Sequence, residues 1–214
     1  MALYVFTLGF HADHAIRKLS RARNVDGIVV VTARPVVRAV QNAFLEISAF
    51  CDKARYPIPR LVDIPLDDGA AAVYSIIRSI EDAKHIVADL SGGMRIVTIL
   101  TFIALMIVSR YRYVELYISG EREDAPEISI PMLALHTFLI GSLSGEKLAI
   151  LELLAKYSSL SISDIAKIMN RSERTIRSHV AELKKYEFVK GGERISLTGW
   201  GYLYLDLVRG SVYG

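Results

Sequence analysis

Residues 89–95 read Asp-Leu-Ser-Gly-Gly-Met-Arg. They follow a short apolar run, Ile86-Val87-Ala88, and lead into the thirteen-residue apolar stretch Ile96–Val108. That order describes a strand that breaks at Ser-Gly-Gly and restarts as a helix. The first N–H groups of a helix have no partner within it, and the helix dipole adds positive character there, so such a turn favours an anion. Gly92 and Gly93 carry no Cβ and let a ligand approach the backbone. Arg95, on the first helical turn, adds a planar fork of donors suited to phosphate. The plain alternative is a tight turn whose glycines serve only its dihedral angles.

The flanking chain repeats the same alternation. Leu3–Leu8 is a β-rich run ending at Gly9-Phe10-His11, and a helix follows from His14 with Ala15, Ile16 and Leu19 on one side. Ile28–Val31 is four β-branched residues together, as expected of a strand covered on both faces. Pro35 suits a first helical position, and Val36, Val37, Val40, Phe44, Ile47 and Phe50 continue at helical spacing. Arg60–Ile64 is a third strand, Ala70–Ala83 a third helix, Ile86–Leu90 a fourth strand and Tyr113–Ile118 a fifth. Short strands joined by helical crossovers predict an α/β fold, a Rossmann-like and mostly parallel sheet with helices on both faces. Ligands of such sheets sit beyond the carboxyl ends of the strands, where strand order reverses. Leu8–His11, Thr32–Arg34 and Asp89–Arg95 are all at such ends. The helix after Gly93 is apolar nearly all round, more than one sheet face requires, so its outer side is expected to meet a second copy of the chain.

Composition limits the remaining classes. The 214 residues hold 52% hydrophobic and 23% charged side chains, a globular balance. Cys51 is the single cysteine, so no intramolecular disulfide can form, which suits a reducing cytoplasm. The N-terminus lacks the charged segment and cleavage site of a signal peptide, and Ile96–Val108 is shorter than the roughly 20 residues of a membrane span. Neither GxGxxG nor GxxxxGK[ST] is present, which argues against dinucleotide cofactors and P-loop chemistry. His11, Asp13 and His14 lack an evident third ligand at helical spacing, so no metal is expected. His11 reads better as a hydrogen-bonding wall of a pocket, and no catalytic triad or dyad spacing stands out.

The net charge of +3 is unevenly placed. Residues 1–142 carry 15 basic and 15 acidic side chains, whereas residues 143–214 carry 11 and 8. Long-range attraction for a polyanion therefore belongs to the last third. Gly120–Asp124 is a charged turn, and Ser129-Ile130-Pro131 closes a small edge strand. The expected domains are 1–130, a connector at 131–142, and 143–214. In the last of these, Glu146–Lys156 is a helix, and Ser161-Ile162-Ser163-Asp164 has capping-box form before a short helix to Met169. Ser172 caps a third helix that runs to about Tyr186. Phe188–Lys190 and Arg194–Leu197 flank glycines as a hairpin, and Thr198–Arg209 is a last helix. Three helices and a β-ribbon describe a winged helix-turn-helix for double-stranded DNA, with a helical protein-binding module as the alternative. Arg174, Thr175, Arg177 and Ser178, with the capping Ser172, lie near the start of the reading helix. Arg171, Lys190 and Arg194 are placed to meet phosphates beside it.

Two motifs now carry a resemblance. TLGFH, Thr7–His11, and DLSGGMR, Asp89–Arg95, look like the ligand motifs of CARF (CRISPR-associated Rossmann fold) domains. With the winged helix, essentially the whole chain resembles the CARF–winged-helix transcription regulators of archaeal CRISPR systems. The resemblance implies a homodimer that binds a cyclic oligoadenylate across its two-fold axis, first of all cyclic tetra-adenylate. It implies contacts from Gly9, Phe10, His11, Ser91, Gly92, Gly93 and Arg95; Thr7, Arg34 and Met94, at the same strand ends, complete the expected ligand-binding set. No catalytic residue or conventional cofactor is expected. Some CARF domains cleave their ligand, so a metal-independent ring nuclease using Arg95 and His11 is the enzymatic alternative.

Overall fold

The computed structural model describes residues 2–120, 126–139, 141 and 143–208. The chain divides into two compact units, Met1–Ile130 and Pro131–Gly214. In the first, β1 (Ala2–Thr7), α1 (Asp13–Ser20), β2 (Val25–Ala33), α2 (Arg38–Ala54), β3 (Arg60–Ile64), α3 (Gly69–Ile80), β4 (His85–Asp89), α4 (Arg95–Val108), β5 (Tyr113–Ser119) and β6 (Glu127–Ile130) follow in order. The sheet order is β3-β2-β1-β4-β5-β6, parallel except for β6, which pairs antiparallel with β5. Growth outward from β1 toward β3 and then back through β4 puts the reversal of strand order between β1 and β4.

Period-2 alternation divides the core into two layers. Tyr4, Phe6, Ile28, Val30 and Val87 join Ala15, Leu19, Val40, Ala43, Ile47 and Cys51 under α1 and α2. Val5, Val29, Val31, Ile86 and Ala88 are buried as well and alternate to the opposite face, where α3 and α4 pack together. The central strands β1, β2 and β4 are buried on both faces, which is why they read as nearly unbroken apolar runs.

Two features differ from the expected elements. The second helix does not begin at Pro35. Val37 keeps extended backbone, its carbonyl accepts from Gln41 N at 3.0 Å, and the helix starts at Arg38. The charged turn expected at 120–124 lies almost wholly outside the described residues. Among the described residues no helix is long and apolar enough to cross a membrane.

The second unit comprises α5 (Met132–Leu139), α6 (Gly145–Tyr157), β7 (Leu160–Ser161), α7 (Ile162–Met169), α8 (Glu173–Lys185), β8 (Val189–Gly191), β9 (Arg194–Leu197) and α9 (Gly199–Val208). Ile150, Leu151 and Leu154 of α6 pack with Ile165 of α7, and with Ile176, Val180 and Leu183 of α8. Phe188 closes this core, its ring stacked on Tyr204 at 4.9 Å and edge-on to Phe138 at 5.7 Å. Helix α5, expected as part of a connector, thus contributes Ala134 and Phe138 to this core. The ribbon has a third strand absent from the sequence reading, with order β7-β9-β8.

Candidate functional site

The segments Thr7–His11 and Asp89–Arg95 meet beyond the carboxyl ends of β1 and β4. Thr7 Oγ1 donates to the Gly92 carbonyl at 2.5 Å. A Cβ on Gly92 would stand 2.8 Å from the Thr7 carbonyl oxygen, and one on Gly93 would stand 3.2–3.3 Å from Leu8 backbone atoms. Gly93 also has φ +88°, where a side chain is strained. The glycines therefore let the two loops touch. Gly9 belongs to the same contact, since its Cβ would lie 3.2 Å from Gly93 Cα.

Asp89 is buried and anchors the turn. Its carboxylate accepts from Ser91 N at 2.9 Å and from the Ser91 hydroxyl, which in turn accepts from Ser119 N at 2.8 Å. Ser91 thus spends its hydroxyl on the protein. Helix α4 then begins without a side-chain cap hydrogen bond at Met94, and Arg95 is exposed on its first turn. An uncapped helix start beside an exposed arginine is a site for negative charge.

A cavity of about 410 Å³ opens beside this turn. Of the residues expected to contact a ligand, Gly9, Phe10, His11, Ser91, Gly92, Gly93 and Met94 line it. Leu8, Thr32, Ala33, Pro35, Val37 and Val40, and His14 of α1, complete the wall and lie outside the expected set. Thr32 and Ala33 belong to the strand end Thr32–Arg34 marked out by the fold, so position alone names them. Phe10 is 66% exposed at the rim. The lining is mainly apolar, suited to a flat ring such as a nucleobase, while the donors lie at its α4 edge. Thr7 and Arg95 do not line the cavity. Arg34 does not either: its Nε donates to Asp63 Oδ2 at 2.7 Å on β3, and this pair holds the Asp63 carboxyl below the usual carboxylate range. Among the described residues no group of three or more His, Cys, Asp or Glu could hold a metal ion.

The outer face of α4 is apolar and open. Ile96, Ile99, Ile103 and Ile107 are 42%, 58%, 40% and 43% exposed and share one stripe at helical spacing. A monomer gains nothing from four exposed isoleucines in line, so this stripe has the character of a contact surface.

In the second unit the capping box at Ser161 and Asp164 is formed in both directions. Asn170 ends α7 in the left-handed region, and Ser172 Oγ accepts from Thr175 N at 3.2 Å to start α8. Arg174, Ser178 and Lys190 are exposed. Arg177 is exposed and pairs loosely with Glu173 at 3.8 Å, while Thr175 shares a hydroxyl contact with Ser172. Two of the expected phosphate ligands are engaged within the unit. Arg171 Nε donates to Glu146 Oε1 at 2.7 Å, and Arg194 donates to Ser159 through Nε at 3.0 Å and a terminal nitrogen at 2.7 Å. The β8–β9 turn needs Gly191 at φ +107°, where a Cβ would collide with the Arg194 carbonyl.

Comparison with known proteins agrees with both units. Residues 2–131 match the Csa3 CRISPR-associated Rossmann-like domain, and residues 146–202 match a helix-turn-helix domain. The chain is 30% identical over 199 residues to the CRISPR locus-related candidate DNA-binding protein Csa3 of Saccharolobus solfataricus (strain P2), covering 91% of this chain and 83% of that one. A solved structure of Can2 from Sulfobacillus thermosulfidooxidans with cyclic tetra-adenylate aligns over 100% of this chain and 69% of that one, at 10% identity and a TM-score of 0.42. With a Rossmann-like unit and a helix-turn-helix unit both matched in order, the chain belongs to the Csa3 family of CRISPR-associated proteins.

Proposed function

We propose that this chain is a ligand-responsive, CRISPR-associated transcription regulator. Its Rossmann-like unit forms a homodimer and binds a cyclic oligoadenylate, first of all cyclic tetra-adenylate. Its helix-turn-helix unit binds promoter DNA. The observation that carries the reading is the cavity at the reversal of strand order, apolar where a base would lie and bordered by the uncapped start of α4. The neutral charge balance of residues 1–142 supports local backbone and Arg95 as the source of phosphate affinity. Because α4 carries both the donors and the isoleucine stripe, two copies joined along α4 would bring two such sites together, which suits a ligand of matching symmetry.

On the DNA side, the exposed Arg174, Arg177 and Ser178 near the start of α8 are the base-reading candidates, with Thr175 and Ser172 setting the helix start. Lys190 on the ribbon reaches phosphate. Regulation requires the ring to bind one dimer arrangement more tightly than another, since equal affinity for both shifts nothing. Calorimetric titration with cyclic tetra-adenylate tests the binding half of the proposal: one ring per two chains is expected, and no heat at micromolar protein overturns it. In this reading the ring stays intact, and linear products from a labelled ring would instead make the chain a ring nuclease.

A further inference from the structure

Glu146 lies in the first turn of α6 and holds two residues distant in sequence. Its Oε1 accepts from Arg171 Nε at 2.7 Å, and its Oε2 lies 2.9 Å from His179 Nε2. Arg171 belongs to the turn between α7 and α8, and His179 to the second turn of α8. A single carboxylate therefore grips both the turn and the helix that carries the base-reading candidates. The His179 Nδ1 is buried with no hydrogen-bond partner, so the Glu146 contact is what the ring relies on. The pair with Arg171 is not a core feature, because the two side chains are 52% and 39% exposed. Arg171, and after it His179, holds the Glu146 carboxyl below the usual range, so it stays charged at neutral pH.

Two oxygens that share one negative charge and accept from guanidinium and imidazole make the same demands as two phosphate oxygens. We infer that Glu146 is an internal stand-in for a DNA phosphate, an autoinhibitory contact that withholds Arg171 from DNA and lowers the affinity of the second unit. The inference rests on the DNA-binding reading of that unit. An ion pair this open to water adds little to the stability of the unit, so removing Glu146 frees Arg171 without unfolding it. While the pair holds, Arg171 is neutralised and offers an approaching backbone no net charge. The modest charge of residues 143–214, 11 basic against 8 acidic, makes each such pairing count. Weak sequence-independent binding helps a regulator, because non-specific sites then compete less with the promoter.

The test uses the full chain and a random-sequence duplex, since phosphate contacts do not depend on sequence. Dissociation constants are measured across a salt series for the parent, for Glu146→Gln, and for Glu146→Gln added to Arg171→Ala. Glu146→Ser is the second variant should the glutamine disturb folding. Glu146→Gln is expected to bind several-fold tighter at low salt, with the log–log salt slope steeper by about 0.9, one extra phosphate contact. With Arg171→Ala already present, the added Glu146→Gln should bring little of that gain. Equal or weaker binding by both Glu146 variants, at an unchanged slope, would make Glu146 a structural staple and overturn the inference. A gain undiminished by Arg171→Ala would overturn the role given to Arg171. A parent chain that retains no duplex at any salt would instead remove the DNA-binding reading, and this inference with it.

Discussion

Replacing Gly92 by alanine places a methyl group 2.8 Å from the Thr7 carbonyl oxygen. The neighbour is backbone in a buried central strand, so it cannot rotate away. The loops must separate, and the 2.5 Å bond from Thr7 Oγ1 to the Gly92 carbonyl must lengthen or break. Forcing a methyl group into packed structure costs about 1–3 kcal/mol. Loss of the hydrogen bond adds about 1 kcal/mol. Alanine also restricts the unfolded chain, which returns about 0.4–1 kcal/mol. The expected net loss is about 1–4 kcal/mol for the first unit, a fall in melting temperature of roughly 4–16 °C at about 4 °C per kcal/mol, the sensitivity usual for this size. Gly145→Ala is the control, because its Cβ would meet nothing within 4 Å and it opens a helix. Calorimetric melting separates the two, with Trp200 fluorescence following the second unit, where that tryptophan packs. Gly92→Ala should also weaken ring binding. Melting at the parent temperature with ring affinity intact would refute the claim that this glycine exists to let the loops touch.

Four other outcomes follow from the same geometry. Ile99→Glu or Ile103→Glu puts charge on the open stripe of α4 and should leave the chain monomeric in sedimentation, whereas an unchanged dimer would move the interface elsewhere. Arg174→Ala should cost about 1–3 kcal/mol in DNA binding if that side chain reads a base, and equal retention in a gel shift would remove it from the interface. Ser172→Ala removes the cap of α8 and should lower stability by about 1 kcal/mol in urea unfolding; no loss would mean the cap is idle. Asp63, Glu146, Asp164 and Glu182 all ionise below their ordinary values, held there mainly by hydrogen bonds from Arg34, Arg171, Ser161 and Lys147. What they contribute is complete above the ordinary values of 3.8 and 4.5 and is lost as pH falls through the lower folded ones, so melting temperature should drop below about pH 4.5.

The alternation of apolar runs made the Rossmann-like sheet and its strand ends legible, because fully buried parallel strands leave continuous signals such as Ile28–Val31. The winged unit was equally legible through caps, since Ser161 with Asp164 and Ser172 with Thr175 are local patterns. Non-local pairing was not. Strand β7 is two residues long and exists only because Leu160 and Ser161 pair with β9. Pro35 suits a helix start yet lines the cavity, because helical spacing in Val36 and Val37 does not reveal where the backbone first turns. Arg34 looked available for ligand until β3 brought Asp63 beside it. Within the cavity wall from Thr32 to Val40 the strand end at Thr32–Arg34 is legible from fold logic, whereas Pro35, Val37 and Val40 are not, because these apolar residues carry no chemical signature.

DNA affinity of the full chain, measured with and without cyclic tetra-adenylate at fixed salt, tests most directly whether one protein joins both activities. Coupling between a ligand site and a DNA site should change affinity by about 5–150-fold, and the ring should bind more or less tightly by the same factor when DNA is present. Arg95→Ala should abolish that response while leaving DNA affinity in the absence of ring as it was. A ring that binds at one per two chains yet leaves DNA affinity unchanged would contradict ligand-responsive regulation.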